Sequence, residues 1–379
     1  MIESPGILMT ILSFLLVIGP LIFLHELGHY AVGRWCGVKA DVFSIGFGRE
    51  ILGWTDKRGT RWKVGWMPMG GYVKFAGDMN PASQADPAWL QLPPEERNVT
   101  FQAKTLWQRA LIVFAGPATN FLIAIAIFAA FFAVYGEPRT PPVIAVVEAG
   151  SAAAKAGLTP GDRITAIDGR DVERFEDIAK IVSIRPEETM TIALVRKEHA
   201  IEVQATPTAL LERDRFGNEF KRGFLGIGPA GMTVEPLSPT QIVGAAIRHT
   251  GDVVEMMVDT LGQVITGRRS VKELGGPLKI AQFSGQQASL GPAAFVEFMA
   301  MISINLGFIN LLPIPLLDGG HLFFYAVEAI RRRPLNPVIQ EWAFRSGLAL
   351  LLGLMLFVTL NDLLSFGVWD HLAGLIGRS

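Results

Sequence analysis

Two histidines four residues apart, with a glutamate beside the first, stand in His25-Glu26-Leu27-Gly28-His29. On an α-helix, positions four apart differ by about 40° in azimuth and about 6 Å in height, so both imidazoles can face one cation. Glu26 is then close enough to act as general base, taking a proton from water and passing it to a leaving amine. This is the pattern of a zinc peptidase, in which three protein ligands leave one coordination position open. The third ligand must come from elsewhere. Cys36 is the single cysteine, which excludes a cysteine-held site, and the other histidines are His199, His249, His321 and His371. The first two fall in a polar insert and the last lies past the final apolar segment. Asp318, in Asn310-Leu-Leu-Pro313-Ile-Pro315-Leu-Leu-Asp318-Gly319-Gly320, is the better candidate. Its ordinary alternative is a cap or turn residue before the two glycines. Pro313 and Pro315 bar a regular helix there and free backbone groups that could hold a substrate strand, with Asn310 as a clamp. His321 is either a partner of the metal ligands or a polar residue opening the next helix.

Apolar segments carry these residues. The 379-residue chain is 50% hydrophobic and 18% charged, with a net charge of −1, against roughly a quarter charged in soluble domains. That is the composition of a membrane protein, and without a long basic tract no nucleic acid partner is expected. Crossing a bilayer takes about 20 mainly apolar residues. Four segments qualify: Ile7 to Tyr30, Leu111 to Tyr135, about Phe295 to Leu312, and about Gly347 to Phe366. The first holds the His-Glu-x-x-His pattern and lacks the basic start of a signal peptide, so it is expected to be retained. An unpaired charge within a span costs about 2.5 to 3.5 kcal/mol, which argues against a chance occurrence. At 1.5 Å per residue the first and third segments carry His25 and Leu312 to a common depth of about 27 Å. Lysines and arginines gather between the first two segments and, as Arg331, Arg332 and Arg333, between the last two. Both loops are therefore expected in the cytoplasm, with both termini and the insert outside.

The expected organisation is a first transmembrane helix over 1–36 and a β-loop region over 37–106. A second transmembrane helix follows over 107–136, then a β-rich insert over 137–231. Amphipathic helices over 232–292 lead to the third span with its Leu-Asp-Gly-Gly turn over 293–320, a cytoplasmic loop over 321–345, and the fourth span and tail over 346–379. Within the insert, Val143 to Val147 and Arg163 to Ile167 read as strands, Ser151 to Ala156 and Phe175 to Ile184 as helices, and Asp168-Gly169 as a tight hairpin turn. Thr189 to Val195 and Ala200 to Ala205 read as paired strands. From Thr240 to Ile265 apolar residues recur at three- and four-residue steps, predicting an amphipathic helix on a membrane surface or against the β domain.

Together, His25-Glu26-Leu27-Gly28-His29, Ala115-Gly116-Pro117-Ala118-Thr119-Asn120-Phe121 and the Asn310 to His321 segment resemble the site-2 protease family of intramembrane zinc metalloproteases, over nearly the whole chain. The likeness is greatest to its bacterial, sigma-E-regulating branch. The resemblance implies a polytopic α-helical membrane protein with four transmembrane helices, a membrane-associated β-loop and one inserted PDZ-like domain. It implies Zn2+ held by His25, His29 and Asp318, Glu26 as general base, and Asn310 holding an extended substrate with the Pro313 and Pro315 turn. It further implies that Asp41 to Gly77, with Gly46-Phe47-Gly48 and Gly70-Gly71, forms a membrane-reentrant β-loop; a soluble hairpin is the alternative. Ala156 to Gly169 resembles a bacterial, permuted PDZ domain, present once where the best-known relatives have two. It could capture a periplasmic peptide or C-terminus, or exclude bulky exterior domains.

The function expected on this basis is regulated intramembrane proteolysis in the bacterial inner membrane. The substrates would be single-pass membrane proteins such as anti-sigma factors, cut after another protease has acted, with the active site toward the cytoplasmic leaflet of the lipid bilayer. A membrane-embedded metal carrier and a catalytically silent PDZ adaptor are the competing readings. The first gives Glu26 no role, and the second does not explain an intact set of His25, Glu26, His29 and Asp318.

Overall fold

The computed structural model describes residues 6–78, 91–213, 219–266 and 275–365; His371 and the tail from 366 lie outside them. The chain divides into two compact units, one built from Met1–Phe128, His249–Val254 and Leu274–Ser379, the other from Ala129–Arg248 and Glu255–Glu273.

The first unit opens with helix α1 (Ile7–Trp35), whose apolar length has no acidic residue in its first turn and Arg34 in its last. Strands β1 (Ala40–Thr55) and β2 (Arg61–Phe75) follow, then a short α2 (Pro94–Asn98) and the long α3 (Leu106–Tyr135). Both strands bend back on themselves. Residues 42–45 pair antiparallel with 71–74 on one side and in parallel register with 61–64 on the other, while 52–55 pair antiparallel on the far side of 61–64. The hairpin therefore behaves as a four-ribbon sheet in which 71–74 form an edge. Phe43, Val73 and Phe75 from this sheet pack with Tyr30, Phe101, Ile112, Val113 and Tyr325 in one buried cluster, which anchors the edge against α1 and α3.

The second unit begins with β3 (Glu137–Arg139), β4 (Ile144–Val147), α4 (Ala152–Lys155), β5 (Arg163–Ile167), β6 (Arg170–Asp171) and α5 (Phe175–Ser183). It continues with β7 (Met190–Arg196), β8 (His199–Ala205), β9 (Thr208–Arg213), β10 (Glu219–Phe224), β11 (Ile227–Pro229) and β12 (Thr233–Glu235). A sheet in the order β6-β5-β7-β8 is accompanied by the pairs β11-β4, β10-β9 and β12-β3. Every strand and helix expected here forms within a residue or two. Asp168 and Gly169 take φ of 47° and 75° and close the β5–β6 hairpin, as a two-residue turn with left-handed residues requires. Ile144, Leu158, Ile164, Ile167, Ile178, Ile192 and Leu194 are among the residues of its core. Helix α6 (Pro239–Ile265) starts where sequence places it, because Pro239 occupies its first turn and Gln241 reaches back to the Ser238 N–H.

Helices α7 (Pro277–Leu290), α8 (Pro292–Asn310), α9 (Asp318–Arg331) and α10 (Pro337–Ser365) complete the first unit. Asp362 of α10 accepts from the Gly276 and Lys279 N–H groups, capping α7, which lies against α1. Among the described residues α1, α3, α8 and α10 are long and apolar enough to cross a membrane; α8, at 19 residues, spans about 28 Å. Residues 321–345, read from sequence as a loop, are instead mostly helical. The arginines and Pro334 that signal a loop only end α9, whose His321, Tyr325 and Glu328 recur at helical spacing. Tyr325 and Glu328 are buried there, with Arg109 of α3 paired to Glu328 at 3.4 Å and stacked 5.0 Å from the Tyr325 ring centre. The fourth apolar helix likewise begins at Pro337, ten residues before the expected start.

The insert depends on one buried carboxylate. Asp162 is fully buried and accepts two 2.7 Å bonds from the Arg196 guanidinium and one from the Thr159 N–H. The Arg196 hydrogen bond, more than offsetting burial, holds its carboxyl below the usual carboxylate range. A lowered folded-state value contributes stability above the unfolded value of about 4 and loses it as pH falls through the folded value. Asp162→Asn is therefore expected to destabilise this unit by about 1–3 kcal/mol at neutral pH and to flatten its acid dependence, read as faster hydrogen exchange of β5 and β7 amides in the full chain.

Candidate active site

His25 and His29 lie on the buried side of α1, one turn apart. Their Nε2 atoms are 3.2 Å from each other. Asp318, the first residue of α9, brings Oδ2 to 3.2 Å from His25 Nε2 and Oδ1 to 3.5 Å from His29 Nε2. A tetrahedron around zinc with bonds of about 2.0–2.1 Å has an edge of about 3.3 Å, so these separations are those of three corners of one coordination sphere. Three lone-pair-bearing atoms this close repel unless a cation or proton lies among them, and this trio is the grouping of metal-ligating side chains found among the described residues. The donor set therefore fits a zinc ion.

Neighbouring groups fix the rings. His29 Nδ1 lies 2.9 Å from the Ile112 carbonyl of α3, which can only accept. The proton is therefore on Nδ1, and the Nε2 lone pair is free for a metal. Glu26 lies against the edge of the sheet, where a Cβ on Gly71 would stand 2.9 Å from the Glu26 Cγ. Asp318 reaches the trio because the chain breaks after α8. Pro313 and Pro315 end the helix, Leu316 adopts a left-handed φ of 83°, and α9 restarts at once with its positive end at the carboxylate. Gly319 and Gly320 permit that fold-back: a Cβ on either would stand 2.3 Å from the Leu311 or Ile314 carbonyl oxygen.

A cavity of about 510 Å3 opens over the trio. His25, Glu26, His29, Asn310, Asp318 and His321 line it together with Phe47 and the edge residues Gly70, Gly71, Tyr72 and Val73. Sequence-predicted Asn310 thus lies on the cavity wall, and His321, in the first turn of α9, lines the cavity as well. Pro313, Pro315, Gly46 and Gly48, expected as substrate contacts, are not among the lining residues. The prolines shape the turn, with Pro315 packed on Gly347 of α10. Gly46 and Gly48, at φ of 81° and 86°, let β1 bend so that Phe47 between them faces the cavity. Asn120 is a residue that composition alone could have raised, as a lone amide in an apolar run; its Nδ2 lies 3.0 Å from His25 Nδ1.

Comparison with known proteins agrees with this geometry. The model of peptidase family M50 matches residues 13–354. The chain belongs to peptidase family M50. A protein of Agrobacterium fabrum with a provisional zinc-metalloprotease name is 47% identical over 94% of this chain and 96% of its own length. The metalloprotease MmpA of Caulobacter vibrioides is 37% identical over 98% of this chain and 99% of its own. Among solved structures, a PDZ domain of a Listeria monocytogenes protein covers 24% of this chain and 88% of that domain at 21% identity. Its TM-score is 0.19, a likeness too slight to bear on the fold of the insert. As a member of the M50, or site-2 protease, family the protein is a metalloprotease, and its cofactor is zinc.

The M50 site also depends on close helix packing: a Cβ on Gly116 of α3 would fall 2.2 Å from His29 Nε2. Gly116→Ala is expected to displace that imidazole and lower zinc affinity at least about tenfold. Gly353→Ala, at a helical glycine with open space around it, leaves affinity unchanged. Chelator-competition titration of the two variants distinguishes them.

Proposed function

We propose that this metalloprotease cuts peptide bonds inside a membrane, acting on single-pass membrane proteins after a first protease has removed their exterior domains, with anti-sigma factors as the substrate class. One observation carries the reading: His25, His29 and Asp318 converge in a cavity among helices of membrane-crossing length and composition. A water-soluble peptidase has no need to place ligands there, since polar groups within hydrocarbon are costly unless used.

His25, His29 and Asp318 are the metal ligands. A zinc ion held there would supply Lewis acidity toward a water molecule and the scissile carbonyl. Glu26 accepts the proton and returns it to the departing amine, and its close packing on Gly71 of the sheet edge keeps the carboxylate at the cavity. A helical substrate must unwind to be cut, which frees backbone groups that need partners. Residues 71–74, at a sheet edge beside the cavity, can take that strand by backbone pairing while Asn310, which also lines the cavity, holds it by its amide.

The excess of Lys and Arg in the two short loops supports a cytoplasmic location for them, and so an active site toward the cytoplasmic leaflet of an inner membrane. The insert is then periplasmic. As a PDZ-like module it would capture a peptide end or exclude substrates that still carry a folded exterior domain.

Glu26→Gln is expected to retain zinc and to lose about 10²–10⁴-fold in cleavage of a single-span reporter in liposomes. Undiminished cleavage contradicts the mechanism; a silent adaptor would be indifferent to the change, and a metal carrier would alter zinc flux instead. Asp318→Asn should lower both zinc occupancy and cleavage. Zinc content equal to wild type would remove Asp318 from the ligand set.

A further inference from the structure

Asn120 lies at the centre of the fold, fully buried on α3. Its amide is the group that meets the outer nitrogen of His25, at 3.0 Å. Its backbone carbonyl accepts a 2.8 Å bond from Ser303 Oγ of α8, which is also fully buried. The residue is therefore held by its backbone to the helix that leads to Asp318, while its side chain meets the helix that carries the histidines.

The two ends of an amide exchange places by a half-turn of the side chain. With Nδ2 toward His25, Nδ1 of the ring must accept, which puts the ring proton on Nε2, the atom facing His29 and Asp318. With Oδ1 toward His25, Nδ1–H donates and Nε2 offers its lone pair. Oδ1 is a buried oxygen with no hydrogen-bond partner among the described residues, so it has the accepting capacity that Nδ1–H requires. At His29 the same duty falls to the Ile112 carbonyl, also from α3.

We propose that Asn120 is a positioning residue for the metal centre: its side-chain oxygen accepts the Nδ1 proton of His25, fixing the tautomer and plane in which Nε2 binds zinc. α3 then orients both histidine ligands while contributing none itself. This rests on His25 as a ligand. Failure of the wild-type chain to bind zinc would sink that assignment, whereas wild-type binding with an indifferent Asn120 sinks only the role of Asn120.

The test is zinc titration of the full chain in detergent against a competing chelator, starting from the zinc-free protein, with Asn120→Leu and Asn120→Asp. Leucine preserves approximate volume but accepts nothing, so the dissociation constant should rise about 10–100-fold. Aspartate accepts the same proton and should bind within about threefold of wild type. A packing role predicts the reverse order, since a buried carboxylate is costlier than leucine among apolar helices. Wild-type affinity in Asn120→Leu, or affinity in Asn120→Asp no better than in Asn120→Leu, overturns the proposal. If Asn120→Leu does not fold, the aspartate variant decides alone: binding within about threefold of wild type upholds it and weaker binding overturns it.

Discussion

Two imidazoles and a carboxylate, each a lone-pair donor, are held 3.2–3.5 Å apart on the wall of one cavity. Such an arrangement persists only with a cation or a proton to share. The carboxylate arrives from the far end of the chain, and much of the first unit can be understood as what brings it there. The proline break after α8, the fold-back onto Gly319 and Gly320, and the clasp of Arg109 on α9 all determine where Asp318 stands.

The doubled hairpin supplies a second constraint. A peptide bond can be hydrolysed only in extended chain, and β1 and β2 curl so that one ribbon becomes an edge beside Glu26. Gly71 belongs to that edge and also lies against the general base, since a Cβ there would stand 2.9 Å from the Glu26 Cγ. In the proposed intramembrane reaction, substrate unwinding and base positioning are thus tied to the same few residues.

Particular residues show how far sequence reasoning reaches. Helical spacing alone paired His25 with His29, and equal rise along two apolar segments was enough to match Asp318 to them, because a helix converts residue number directly into depth. Asp168-Gly169 was legible for a similar reason, since few residue pairs tolerate two left-handed conformations. A helix opening near His321 was legible, but its extent to Arg331 was not, because the charge of three arginines marks a helix end as readily as a loop. Gly46 and Gly48 were assigned to substrate, whereas they bend the strand that turns Phe47 inward. Asn120 and Ile112 escaped because their contact with the histidines is set by how α3 packs on α1, a relation between elements that no local pattern encodes.

The central claim is that one zinc ion is held jointly by α1 and the start of α9. X-ray absorption spectroscopy of the zinc-loaded full chain tests it most directly. The account predicts four light-atom neighbours at about 2.0–2.2 Å, two of them with the outer-shell scattering of imidazole rings, and loss of one oxygen neighbour in Asp318→Ala. A sulfur neighbour, a single imidazole, or a zinc shell unchanged by that substitution would contradict it.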